Sequence, residues 1–179
     1  MASDAEQLPV PEDDGACDHL PGTALPDIEL TTTDADQVNF SSLSGLVVIF
    51  IYPRTGQPEV ALPEGWAQIP GAMGCTPQAC GFRDHHAELK ALGAQIYGLS
   101  VQDGEYQQEA ATRLELPYPL VSDEHFKLVD ALKLPTFQAA GMKLTKRAAL
   151  VVRDGIIEKV FYPVFPPGEN AEQVIDYLS

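Results

Sequence analysis

Basic side chains are scarce in this chain: 11 Lys and Arg stand against 26 Asp and Glu, for a formal net charge of −15. A surface that neutralises phosphates needs clustered Lys and Arg, so nucleic acid and anionic membrane surfaces are excluded as partners. Apolar runs are short as well. None approaches the roughly 18 residues that a membrane-crossing helix requires, so no membrane span is expected. The first residues, Met1-Ala2-Ser3-Asp4-Ala5-Glu6, lack the basic and apolar regions of a secretion signal, which makes a cytoplasmic, reducing setting the expectation. Cysteine is rarer still, with three in 179 residues. In a reducing compartment a permanent structural disulfide is out of place, and cysteines close together in sequence point to catalysis.

What is present is ordinary globular composition, 45% hydrophobic and 21% charged, in a length that suits one domain. Residues 1–20, with Pro9, Pro11, Glu12, Asp13, Asp14 and Asp18, read as a mobile arm in which Cys17 is an unpaired extra. Residues 21–179 read as the folded domain. Short strands are expected at Thr23–Leu30, an edge strand because of Pro26, and at Gln37–Phe40. Leu46–Tyr52 is an uninterrupted apolar run, the pattern of a buried strand. Residues 53–74 carry Pro53, Gly56, Pro58, Pro63, Gly65, Pro70, Gly71 and Gly74, a long loop with Trp66 in its middle as a plug against the core.

A helix is predicted over about 76–92, capped by Gly93, followed by a strand at 95–100 and a helix from Asp103-Gly104 to Leu114. Leu120-Val121 and Glu124–Leu132 give a short strand and a short helix. Two β segments flank Asp154-Gly155, a strong hairpin signal, and Glu169–Leu178 is amphipathic. The order predicts an α/β domain: a mixed central sheet flanked by helices, with a C-terminal β-hairpin and helix.

The stretch that organises the chain is Gly74-Cys75-Thr76-Pro77-Gln78-Ala79-Cys80-Gly81-Phe82-Arg83-Asp84, which spaces two cysteines as C-x₄-C. Phe82, His86, Leu89 and Leu92 continue it with helical spacing. Thr76 is an acceptable N-cap and Pro77 suits the first helical position, so Cys75 is placed at a helix mouth, where free N–H groups and the dipole favour a thiolate. Two other readings stand beside this one. A cysteine in apolar surroundings is often only a small core residue. A zinc site needs four ligands, and Cys17, His19, His85, His86 and His125 supply no matching second pair. His86 falls on the apolar face of the helix and His85 faces solvent.

These residues resemble a family. The Gly74–Cys80 segment with Phe82-Arg83-Asp84 is similar to the active-site segment of peroxiredoxins, nearest to the bacterioferritin-comigratory or peroxiredoxin Q type. Tyr97–Ser100, Leu116–Asp123 and the stretch from Arg147 to Ile156 carry the same resemblance. It implies a thioredoxin-like fold and thiol peroxidase activity on hydrogen peroxide and organic hydroperoxides. It further implies Cys75 as the peroxidatic cysteine, Cys80 as the resolving cysteine of an intrasubunit disulfide, and Arg147 as the arginine facing the sulfur. No cofactor is implied. A thioredoxin or similar dithiol protein is implied as reductant, and the protein as monomer or homodimer. The family carries a proline and a hydroxyl in the turn just before the cysteine; here Ala72 holds the hydroxyl position and Pro53 lies far upstream, so an insertion splits the motif. Thr55 then offers the hydroxyl, or is an ordinary turn threonine.

Two cysteines five residues apart on an α-helix are separated by about 8.6 Å between Cα atoms, given a rise of about 1.5 Å per residue. A disulfide spans about 6.8 Å at most. Closure between Cys75 and Cys80 therefore requires local unwinding. A thiol-disulfide oxidoreductase and a redox sensor on the same fold are the competing readings.

Overall fold

The computed structural model describes residues 8–179. Among the described residues, strands β1 (Leu30–Thr32), β2 (Gln37–Val38), β3 (Leu46–Ile51), β4 (Ala94–Ser100), β5 (Leu120–Ser122), β8 (Ala148–Arg153) and β9 (Ile156–Phe161) form one sheet in the order β2-β1-β5-β4-β3-β8-β9. Strands β6 (Thr136–Ala139) and β7 (Met142–Thr145) pair only with each other. β3, β4 and β5 run parallel; β8 joins β3 antiparallel, β9 follows it, and β1 closes the other side antiparallel to β5. A mixed sheet results, as the element order implies. Its helices are α1 (Cys75–Asp84), α2 (His86–Ala91), α3 (Gly104–Arg113), α4 (Lys127–Leu132) and α5 (Asn170–Leu178).

β3 is buried at every position because it has a covered face on each side. Val47, Ile49 and Ile51 point into one core with Leu128, Val129 and Leu132 of α4. Leu46, Val48, Phe50 and Tyr52 point into the other, against Phe82 of α1, Leu89 of α2, Ala110 of α3 and Val174 of α5. The Phe50 and Phe82 rings stack with centroids 4.6 Å apart, and Tyr118 donates its hydroxyl to Ala79 O at 2.6 Å. These contacts seat α1 on the end of β3.

Several expectations change. Thr76 does not cap α1. Gly74 does, at φ 113°, and its carbonyl accepts from Gln78 N at 3.0 Å, so Cys75 is the first helical residue and Pro77 the third. The single helix of 76–92 is two, broken at His85, whose φ of −102° and ψ of 12° depart from the helical run. The strand expected at Thr23–Leu30 is reduced to one bridge, Ala24 with Ile156, and β1 begins at Leu30. The β6–β7 hairpin, which the sequence does not announce, turns through Ala140 and Gly141, both at positive φ.

The mobile arm expected over 1–20 differs in its described part; residues 1–7 lie outside it. Cys17 is 5% exposed and Leu20 wholly buried in the α4-side core. Asp14 accepts from Tyr162 Oη at 2.7 Å and from Lys146 Nζ at 3.2 Å, and His19 Nε2 meets Leu132 O at 2.8 Å. The charged residues around Cys17 and Leu20 hide these two anchors from a composition-based reading.

Candidate active site

Cys75 sits at the N-terminus of α1 with its side chain 4% exposed. The free N–H groups of the first turn and the positive end of the dipole surround it. Gly74 makes this placement possible twice over. Its left-handed φ is open to glycine, and a Cβ there would collide with the ring of Pro167.

Arg147 stands between β7 and β8 and is 3% exposed. Its Nη2 lies 3.3 Å from Cys75 Sγ and also donates to the carbonyls of Gly71, Ala72 and Met73 at 3.1–3.2 Å. Nη1 donates to Gln78 Oε1 at 2.6 Å. Among the described residues its buried Nε–H finds no acceptor. The guanidinium is therefore tethered to four carbonyl oxygens and faces the thiol, while its Nε–H is left without a partner among the described residues. The Ala72 carbonyl is shared, since the Cys75 thiol points to it at 3.8 Å.

Cys80 is half-buried on the same unbroken helix, and both cysteines are free. Thr55 is 1% exposed, just after β3. Its backbone N–H and its hydroxyl both donate to Gln102 Oε1, at 3.0 and 3.3 Å, and Gln102 Nε2 returns a bond to Thr55 O at 3.2 Å. The hydroxyl's partner is Gln102, not Cys75 or Arg147. The insertion is pinned by Trp66, 3% exposed, which packs with Ala72, Leu144 and Phe137.

Two residues near Cys75 escaped the sequence reading. Gln78, wholly buried, links Arg147 to Asn170, the first residue of α5, through Nε2 to Oδ1 at 2.9 Å. A signal for Gln78 was available: it is a polar residue on the helix face that otherwise carries Cys75, Ala79 and Phe82. The adjoining histidines lie apart from this chemistry. His86 packs beside Tyr118, and burial lowers its pKa; His85 bonds Glu88, which raises its own.

A cavity of about 480 Å³ opens beside Arg147, lined by Pro11, Ile69, Phe137 and Val164 together with the charged Asp14 and Lys146.

Comparison with known proteins accords with this arrangement. The Redoxin family matches residues 20–175. Peroxiredoxin Q of the Suaeda salsa chloroplast is 27% identical over 159 residues, covering 88% of this chain and 67% of that protein. This chain thus spans about two thirds of the plant relative's length. Peroxidoxin BcpB from Mycobacterium tuberculosis superposes with a TM-score of 0.72 at 24% identity, covering 89% of this chain and 97% of the other. A cysteine-to-serine mutant of Xylella fastidiosa PrxQ gives a TM-score of 0.73 at 17% identity, covering 89% and 96%. The fold is the thioredoxin-like one of these structures. By the match over residues 20–175, this chain belongs to the Redoxin family.

Proposed function

We propose that this chain is a thiol-dependent peroxidase in which Cys75 is the peroxidatic and Cys80 the resolving cysteine. The observation that carries the reading is the 3.3 Å contact of Arg147 Nη2 with Cys75 Sγ at a helix mouth. A thiolate there attacks one oxygen of a hydroperoxide. The O–O bond breaks, the distal oxygen stays on sulfur as a sulfenic acid, and the other leaves as hydroxide or alkoxide and takes a proton from water. Arg147 stabilises that developing charge from Nη2, the nitrogen that stands beside the sulfur. Cys80 then attacks the sulfenic sulfur and water leaves, forming the disulfide. A dithiol protein of the thioredoxin type restores both thiols by exchange, each electron pair coming from its own thiols.

Thr55 is assigned to aligning the peroxide. Its hydrogen is given to Gln102, so its oxygen lone pairs are the part available to a peroxide O–H. The cavity beside Arg147 joins apolar walls to Glu12, Asp14 and Lys146 and offers room near the site for the organic part of a hydroperoxide as well as for hydrogen peroxide. A structural neighbour, the Xanthomonas campestris bacterioferritin comigratory protein, has alkyl peroxide reduction activity. A reducing, cytoplasm-like compartment and a monomeric or homodimeric state complete the reading.

The test is hydroperoxide consumption with a thioredoxin-type reductant by the wild type, Cys75→Ser and Cys80→Ser. Turnover in the wild type, none in Cys75→Ser and a single turnover in Cys80→Ser are expected. Wild-type rates in Cys75→Ser would sink the assignment.

A further inference from the structure

We propose that Asn170 is a positioning residue for the peroxide step and a brake on the resolving step, acting through Gln78. The proposal rests on the peroxidase reading above. Arg147 carries only donors, so the Gln78 atom it meets at 2.6 Å is the amide oxygen. That orients the whole amide. Gln78 Nε2 must face α5, where Asn170 Oδ1 accepts it at 2.9 Å, and Asn170 Nδ2 in turn points to Gln173 Oε1 at 3.5 Å. Hydrogen bonds run in one direction, from the guanidinium beside Cys75 to the surface of α5.

Both amide side chains are wholly buried, so no bulk water replaces a lost partner. Asn170 is delivered to this point by the turn Pro167–Glu169, which lies on Gly74 and Gly81. The Gly168 carbonyl comes within 3.0 Å of where a Gly81 Cβ would stand, so α1 and the start of α5 touch where glycine permits it.

Gln78 lies between Cys75 and Cys80 on α1. Disulfide closure unwinds this segment and withdraws Gln78 from both partners. Asn170 therefore contributes only while the helix is wound and Arg147 is in place. Losing it has opposite effects on the two steps: Arg147 is held less firmly for peroxide attack, while unwinding becomes easier.

Asn170→Leu keeps the branching at Cγ and deletes the acceptor; Asn170→Asp keeps the acceptor. Rapid mixing with hydrogen peroxide, timed thiol trapping and mass spectrometry give separate rates for sulfenic acid formation and disulfide closure. In Asn170→Leu the first is expected to fall about three- to tenfold and the second to rise by a similar factor, the range set by one buried hydrogen bond. Asn170→Asp, which keeps the acceptor for Gln78 but loses the donor to Gln173, should lie nearer the wild type than Asn170→Leu in both. A purely structural role moves both steps together or neither, and either result overturns the proposal, as does Asn170→Asp behaving like Asn170→Leu.

A second measurement uses the unmodified chain and does not depend on a variant folding. The Gln78 side-chain NH₂ should exchange slowly with water in the reduced protein and fast in the disulfide form; equal exchange in both overturns the proposal. A wild type that consumes no hydroperoxide would instead sink the peroxidase reading itself.

Discussion

Arg147 reaches Cys75 across 72 positions of sequence, and its Nη2 stops 3.3 Å from the sulfur. The same nitrogen is tethered to the carbonyls of Gly71, Ala72 and Met73, the residues that lead into α1. One side chain thus both faces the thiol and holds the turn that presents it.

Arg147→Ala is accordingly expected to slow peroxide reduction by about 10²-fold, the typical loss when a preorganised donor to a developing oxyanion is removed. The second-order rate constant measured across pH checks this. If the variant's rate meets the wild type's once the thiol is fully ionised, Arg147 has no part in stabilising the leaving oxygen.

Thr55→Val removes the hydroxyl with little change of shape. Peroxide reduction is expected to fall about tenfold, roughly 1.4 kcal/mol in the barrier. An unchanged rate would make Thr55 a purely structural partner of Gln102.

Cys17 is expected to be inert. Burial first, then the carboxylates of Asp14, Asp13 and Asp18, push its thiol up to about 12 from the ordinary 9.0. Peroxide turnover in Cys17→Ser should match the wild type, and alkylation of Cys17 at pH 8 should be far slower than that of an exposed thiol. The sign of the pH effect follows. Between 9 and 12 the unfolded chain releases this proton and the fold keeps it, so the contribution is intact below pH 9 and lost as pH rises toward 12. Denaturant titrations of wild type and Cys17→Ala should converge in stability across that window. A gap that does not change with pH would refute the assignment.

Gly81→Ala separates helix propensity from packing. Propensity alone favours alanine in a helix by up to about 1 kcal/mol, which predicts a stiffer α1 and slower disulfide closure. The close Gly168 carbonyl, 3.0 Å from the added Cβ, opposes this. A lower Tm and closure no slower than in the wild type are expected. Slower closure with a raised Tm would show that the C-terminal turn yields freely.

Much of the sheet was legible because its signals are local. The apolar run of β3 and the Asp154-Gly155 turn, at φ 49° and 80°, declare themselves within a few residues. The cysteine at a helix mouth was legible too, although Gly74 rather than Thr76 caps the helix; the choice depends on Pro167, which leaves no room for a side chain at 74. The β6–β7 hairpin was missed because Ala140-Gly141 is a weaker turn signal than Asp-Gly and its strands are short. Gln78 and Asn170 stand 92 positions apart, and a glutamine and an asparagine in separate helices carry no sign of sharing a hydrogen bond. The anchoring of Cys17 and Leu20 likewise depends on a core built by residues far downstream.

Trp66 is the chain's single tryptophan, and its indole is packed against Ala72 and near Met73, two of the three residues whose carbonyls hold Arg147 just before Cys75. The protein therefore carries its own optical label. Ala72 and Met73 lead directly into α1, so unwinding there is expected to shift that aromatic pocket, and the intensity and wavelength of tryptophan emission should change as thiols become disulfide and return when a dithiol restores them. With no second indole to dilute the signal, one emission trace would time each half of the cycle without dye or substitution. A steady trace through a full oxidation and reduction would mean that the insertion stays fixed while the helix beside it opens.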